Sequence, residues 1–144
     1  MKPPEYRCET RLYNALGERL RAEHGLASSQ FGALRIIGRR DDCRVIDLAS
    51  EVAITVGAAS KVVDRLEAAG WVSRRPNPAN RRSSLLALTA EGRRLLDAAT
   101  PTAESELRTW LAGPLSARSL DELAATVARL RQVMEDAHAG TPTR

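Results

Sequence analysis

The stretch PNPANRRS, residues 76–83, places two asparagines and two arginines between two strand-like runs, WVSRR and SLLAL. A hairpin connection needs only about two to five residues, so this longer, charged connection predicts a loop that reaches away from the protein. A guanidinium group binds phosphate through paired hydrogen bonds, and arginine enters narrow minor grooves because their potential is negative. We therefore expect Asn80, Arg81 and Arg82 to contact an anionic partner.

A second group of candidate residues lies on a predicted helix that begins at a Thr55 cap and ends near Ala69, before Gly70. Small residues let a helix approach the bases in a major groove, and Ser or Lys can donate to base edges or phosphates. Its apolar side, expected in the core, holds Val56, Ala59, Val62, Val63 and Leu66, and its other side holds Gly57, Ala58, Ser60, Lys61, Asp64 and Arg65.

The candidate DNA contacts on this helix are Thr55, Gly57, Ala58, Ser60, Lys61 and Arg65, with Arg74 added from the following strand. Asp64 is the exception, because phosphate repels a carboxylate. We expect Asp64 to pair with an arginine of the strand or loop that follows and so to brace the loop. Of Arg74 and Arg75, one is expected to pair and the other to face phosphate.

These residues are positioned by a short helix from Asp47 to Val52 or Ala53, the Thr55 helix, and strands at 71–75 and 84–88. Two helices joined by a tight turn and followed by a hairpin form a winged helix-turn-helix. Residues 44–46, RVI, could add a short third strand. The fold class is mainly α (α+β), with one domain over 1–144 and a winged-helix core at 28–88.

Helical spacing of apolar residues predicts flanking helices at 5–24 and 89–138. Pro101 predicts a bend in the second of these regions, and a last helix covers about 119–137. Their apolar stripes need a partner, and two-fold homodimers are the commonest assembly. We therefore expect 5–24 and 89–138 to be dimerisation helices.

The composition narrows the function classes. The 144 residues carry a net charge of +4, almost all of the cations are arginine, and aromatic residues make up only 3%. A basic excess favours a nucleic-acid partner. No glycine-rich phosphate loop, nucleophile–base pair or metal cluster is evident, so we expect no enzyme activity, no cofactor and no metal. No signal peptide or membrane span is evident either, and we expect a cytoplasmic protein.

Two further sets of residues have open interpretations. Cys8 and Cys43 each have arginine neighbours in the sequence, which could lower a thiol pKa and give a redox sensor, or they are ordinary thiols. Tyr13, Phe31 and Arg35, with Trp110, could line a small-ligand cavity or simply pack in the core.

The segments HGLASSQFGALRII and DLASEVAITVGAASKVVDRLEAAGWVSRRPNPANRRSSLLALTAEGRRLL resemble the MarR family of bacterial transcription regulators. The resemblance implies a homodimer that binds a pseudo-palindromic DNA operator, and a repressor released by small phenolic or anionic effectors or by cysteine oxidation. By this match Arg82 enters the minor groove, while Asn80 replaces the aspartate that usually braces the loop. Cys8 lies in the first helix, where a peroxide-sensing branch has its cysteine. The alternative is a winged-helix module for protein contacts without DNA binding.

Overall fold

The structure is a computed structural model that describes residues 7–142. Over that range it contains six helices and one antiparallel hairpin. In chain order these are α1 (Arg7–His24), α2 (Ser28–Gly38), α3 (Val45–Val52), α4 (Val56–Ala68), β1 (Val72–Pro76), β2 (Ser84–Leu88), α5 (Ala90–Leu111) and α6 (Ala117–Asp136). The order confirms the mainly helical winged-helix fold. The predicted start of the first helix at residue 5 lies outside the described residues.

Helix α2 is the centre of the packing, because it contacts α1, α3, α4, α5 and the second strand of the hairpin. Apolar residues occur on nearly every side of its eleven-residue length, as expected for a buried helix. Its buried side chains meet Leu48 of α3, Leu66 of α4 and Leu86 of β2 in one core. The hairpin and the helix-turn-helix are therefore held by the same core.

The segment before α3 corrects one expectation. Residues 44–46 do not form a strand. Instead, Cys43 forms an isolated bridge to Leu86 of β2, in which the Leu86 backbone N donates to the Cys43 carbonyl oxygen over 2.7 Å. The Asp47 carboxylate accepts hydrogen bonds from the Arg44 backbone N and Nε, each over 2.9 Å. These bonds satisfy the first turn, so the helix begins at Val45 rather than Asp47. The Arg44 hydrogen bond also lowers the pKa of the Asp47 carboxyl.

Helix α5 runs through Pro101 without interruption. Thr89 caps the helix: its hydroxyl accepts from the Gly92 backbone N over 3.0 Å and donates to the Gly70 carbonyl oxygen over 2.6 Å. A Cβ on Gly92 would lie 2.0 Å from the carbonyl oxygen of Trp71. The cap and this close approach tie the start of α5 to the end of the helix-turn-helix.

Helix α6 differs from the others because none of its residues is buried. Its apolar residues Leu123, Val127, Leu130, Val133 and Met134 are between 43% and 59% exposed. They follow helical spacing and therefore form one apolar stripe, which we call the α6 stripe. Trp110, near the end of α5, is 55% exposed.

Candidate nucleic-acid interface

The turn between α3 and α4 is short and closed. Ala53 takes the left-handed conformation at φ 57°, and the Ile54 backbone N donates to the Ala49 carbonyl oxygen over 3.0 Å. Thr55 then caps α4, since its hydroxyl accepts from the Ala58 backbone N over 3.1 Å. The predicted cap and the tight turn are both confirmed.

The two sides of α4 divide nearly as the sequence indicates. Ala59, Val63 and Leu66 are buried, whereas Gly57, Ala58, Lys61, Asp64 and Arg65 are exposed and Ser60 is half-buried. Val62 is half-buried and packs against the core. Val56 is the exception. It was expected in the core but is 48% exposed, because it is the first residue of the helix and lies at the edge of the core. The exposed side is thus a helix surface of small and basic residues.

The connection between the two strands, residues 77–83, is called the wing loop. It is held by two successive turns in which an asparagine side chain bonds the backbone. The Asn77 Oδ1 accepts from the Ala79 backbone N, and the Asn80 Oδ1 accepts from the Arg82 backbone N, both over 3.0 Å. Asparagine forms such turns readily. Asn80 therefore orders the loop through a hydrogen bond to its backbone.

Asp64 pairs with the strand that leads into the wing loop. Its Oδ1 accepts from the Arg74 Nη2 over 2.5 Å, and the Arg74 Nε lies 3.2 Å from a carboxylate oxygen of Glu67. The expected ion pair between Asp64 and an arginine is present. Arg75 takes a different partner, because its Nη2 donates to the Asp41 carbonyl oxygen over 3.2 Å. The first strand is thereby joined to α4 on one side and to the α2–α3 connection on the other.

Four basic side chains on the surface of α4 and the wing loop have no ion-pair partner among the described residues. Lys61 and Arg65 on α4, and Arg81 and Arg82 in the wing loop, are exposed and have no ion-pair partner among residues 7–142. An arginine already paired with carboxylates, such as Arg74, loses that interaction when it binds phosphate, whereas these four lose none. The surface is therefore poised for an anionic partner.

Comparisons with known proteins agree with this geometry. Residues 26–84 match the sequence model of the MarR family. The chain is 29% identical over 116 residues to the uncharacterised HTH-type transcriptional regulator YdgJ of Bacillus subtilis, covering 81% of this chain and 70% of that protein. It is 28% identical to the multiple antibiotic resistance protein MarR of Escherichia coli, covering 76% of this chain and 74% of that protein. Over its winged-helix segment the chain is therefore similar to the MarR family.

A solved structure supports the same assignment. The chain superposes with a TM-score of 0.83 and 25% identity on Sco3205, a MarR family transcriptional regulator from Streptomyces coelicolor solved in complex with DNA. The match covers 91% of this chain and 86% of that one. It therefore extends beyond the winged helix to the flanking helices.

The three candidate pocket residues Tyr13, Phe31 and Arg35 do not line one shared cavity. Phe31 is 4% exposed and belongs to the core, with the Arg35 guanidinium 5.7 Å from its ring centroid. Tyr13 is 48% exposed and borders a cavity of about 330 Å³ whose lining includes neither Phe31 nor Arg35. A different cavity, of about 550 Å³, lies along α1 and includes Trp110 and Arg11.

The two thiols have opposite environments. Cys43 is fully buried, and burial raises the pKa of its thiol despite the neighbouring Arg40 and Arg44. A sensing thiol needs a lowered pKa, so burial of Cys43 favours the interpretation of this residue as an ordinary thiol. Cys8 is exposed and borders the cavity with Trp110.

Sequence reasoning missed Glu67, and it missed the structural role of Asn77 within the loop. Glu67 lies beside Arg74, one turn after Asp64, a spacing that places both carboxylates on one side of the helix. Asn77 is 8% exposed and closes the base of the wing loop. Its signal in the sequence is an Asn-Pro pair, which favours the start of a turn.

None of the helices between residues 7 and 142 combines the length and the apolar character needed to cross a membrane.

Proposed function

We propose that this protein binds double-stranded DNA sequence-specifically as a homodimer and represses transcription from a pseudo-palindromic operator. One observation carries the proposal: the unpaired cations Lys61, Arg65, Arg81 and Arg82 lie on the two elements that a winged helix offers to adjacent grooves. The similarity to Sco3205, whose structure contains DNA, supports it.

In the proposed complex α4 enters the major groove. Gly57 and Ala58 allow close approach because they have little or no side chain, and Thr55 and Ser60 offer hydroxyls to phosphate or base edges. Lys61 and Arg65 supply the longer contacts. The N-terminus of α4 adds the positive end of the helix dipole, which attracts phosphate.

The wing loop enters the neighbouring minor groove. Arg81 and Arg82 sense the width and the negative potential of that groove more than its bases. Asn80 shapes the loop rather than serving mainly as a contact, because its side chain already bonds the Arg82 backbone N. Arg74 was a candidate phosphate contact, but its ion pairs with Asp64 and Glu67 favour a bracing role.

The homodimer is inferred from the α6 stripe. A contiguous apolar face of this kind marks an interaction surface. A second copy of the chain is the simplest partner, because a two-fold dimer matches the symmetry of a pseudo-palindromic operator. The two α4 helices would then reach half-sites about one helical turn, roughly 34 Å, apart. A dimer bound at a promoter blocks access of RNA polymerase, and we therefore propose that the protein is a repressor.

A small phenolic or anionic effector is proposed to act on the spacing between the two winged units. The cavity along α1 is a better place for it than the Tyr13, Phe31 and Arg35 set, because Trp110 offers an aromatic surface and Arg11 a cation. Such a ligand shifts the balance only if it binds one spacing more tightly than the other. Titration with benzoate, followed by tryptophan fluorescence, should saturate in the wild type and be weakened in Arg11→Ala.

The test of DNA binding is selection of bound fragments from a random genomic pool, followed by anisotropy titration with the recovered sequence. The proposal predicts a two-fold symmetric site and an affinity at least about a thousandfold above that for unrelated DNA. A protein-interaction module with the same fold would recover no common sequence and would retain no fragments at low salt. A reporter placed behind the recovered site should show lower expression when the protein is present.

A further inference from the structure

The wing loop is closed by internal hydrogen bonds that contact with DNA does not by itself require. Asn77 is one of two buried polar residues among the described part of the chain, at 8% exposure. Its Nδ2 donates to the Ser83 Oγ over 2.8 Å, so the side chain joins the first residue of the loop to the last. Its Oδ1 is also occupied, by the Ala79 backbone N.

The same network continues to the tip of the loop. The Asn77 carbonyl oxygen accepts from the Asn80 backbone N over 3.2 Å, and the Asn80 carbonyl oxygen accepts from the Ser83 backbone N over 3.1 Å. The Ser83 hydroxyl bonds the Asn80 carbonyl oxygen as well, over 3.2 Å. The two turns are thus linked to each other and to the base of the loop.

We propose that Asn77 is the positioning residue of the wing: it closes the loop in the free protein and so holds Arg81 and Arg82 ready for the minor groove. This inference rests on the proposed DNA-binding function. A loop that becomes ordered only in the complex loses conformational entropy on binding, which weakens the affinity. A preformed loop avoids this cost. The side chains of Arg81 and Arg82 have no hydrogen bond or ion pair to any residue between 7 and 142, so their placement depends on the backbone that Asn77 orders.

The closure is tested first without DNA, by limited digestion with trypsin, which cleaves after arginine. Asn77→Ala should raise the cleavage rate after Arg81 and Arg82 by about tenfold, because local opening then exposes the loop. The control is Ser73→Ala, since Ser73 is exposed on β1 and its hydroxyl has no bond to a described residue. Equal cleavage rates in Asn77→Ala, Ser73→Ala and the wild type would overturn the closure.

The positioning role is tested by a double-mutant cycle with the operator recovered from the genomic selection. Asn77→Ala should weaken binding about tenfold in the wild-type background and less than about twofold in the Arg81→Ala/Arg82→Ala background, because Asn77 acts through these two arginines. Equal losses in both backgrounds would show that Asn77 acts elsewhere and would overturn the role. If Asn77→Ala does not fold, Ser83→Ala removes the same Nδ2 hydrogen bond and takes its place in both experiments.

The two experiments separate the two claims. A wild-type protein that binds no DNA would overturn the proposed function and the positioning role together, while the digestion still decides whether Asn77 closes the loop. Normal DNA binding with an equal digestion rate in the variant would overturn the inference about Asn77 alone.

Discussion

Replacing Arg82 with alanine separates a role in DNA binding from a role in folding. Arg82 is exposed in the wing loop and has no ion-pair partner among residues 7–142, so its loss should leave the free energy of unfolding nearly unchanged. In a homodimer the substitution removes two cations. Each phosphate contact contributes about 0.9 to the log–log dependence of affinity on salt, so the slope should become shallower by about 1.8.

That change of slope predicts a penalty that depends on salt. Between about 50 and 200 mM salt a slope difference of 1.8 amounts to roughly a tenfold change in relative affinity, so the loss caused by Arg82→Ala should be about ten times larger at the lower concentration. The assay is a fluorescence anisotropy titration of the operator at several salt concentrations. Arg82→Lys is the matched control, because it keeps the charge and should keep the slope. Parallel lines for the wild type and Arg82→Ala would refute the assignment of the wing loop to the DNA.

Three other substitutions test the fold and the assembly. Asp47→Asn should lower the free energy of unfolding by about 1 kcal/mol at pH 7. Because the folded-state pKa of Asp47 is lowered, this difference between variant and wild type should fade as the pH drops below the unfolded-state pKa of about 3.9. The same difference at pH 7 and pH 3 in denaturant titrations would contradict this role of Asp47. Gly92→Ala should lower the free energy of unfolding by about 3 kcal/mol or more, as measured by thermal melts, because its Cβ would strike the Trp71 carbonyl oxygen. The control is Gly32→Ala, which has open space around it and should be neutral or stabilising in the same measurement. Leu130→Asp should give a folded monomer in sedimentation velocity, and a retained dimer would show that the α6 stripe is not the interface.

Much of the fold could be predicted because the local signals and the packing agree. Thr55 and Thr89 are good caps followed by helical apolar spacing, and both helices begin where the sequence places them. The charged loop between two strand-like runs likewise identified the wing. In these segments no tertiary contact opposes the local preference.

The errors occur where individual side-chain hydrogen bonds, or the place of a residue in the packed structure, decide the outcome. The β-branched residues Val45 and Ile46 suggested a strand, but the Asp47 bonds to Arg44 start a helix there instead. Pattern alone placed Val56 in the core, because it could not show that the first residue of α4 lies at the core edge. Asn77 was one of several polar loop residues in the sequence, and only its hydrogen bonds distinguish it as the one that closes the loop.

In the proposed complex two winged units bind one operator together. Hydroxyl-radical footprinting of the selected operator tests it most directly, because it reports protection at each nucleotide. We expect two protected stretches of DNA backbone whose centres lie about 10 to 10.5 base pairs apart, each with protection of the adjacent minor groove. Protection of a single region by a bound monomer, or no protection at saturating protein, would contradict it.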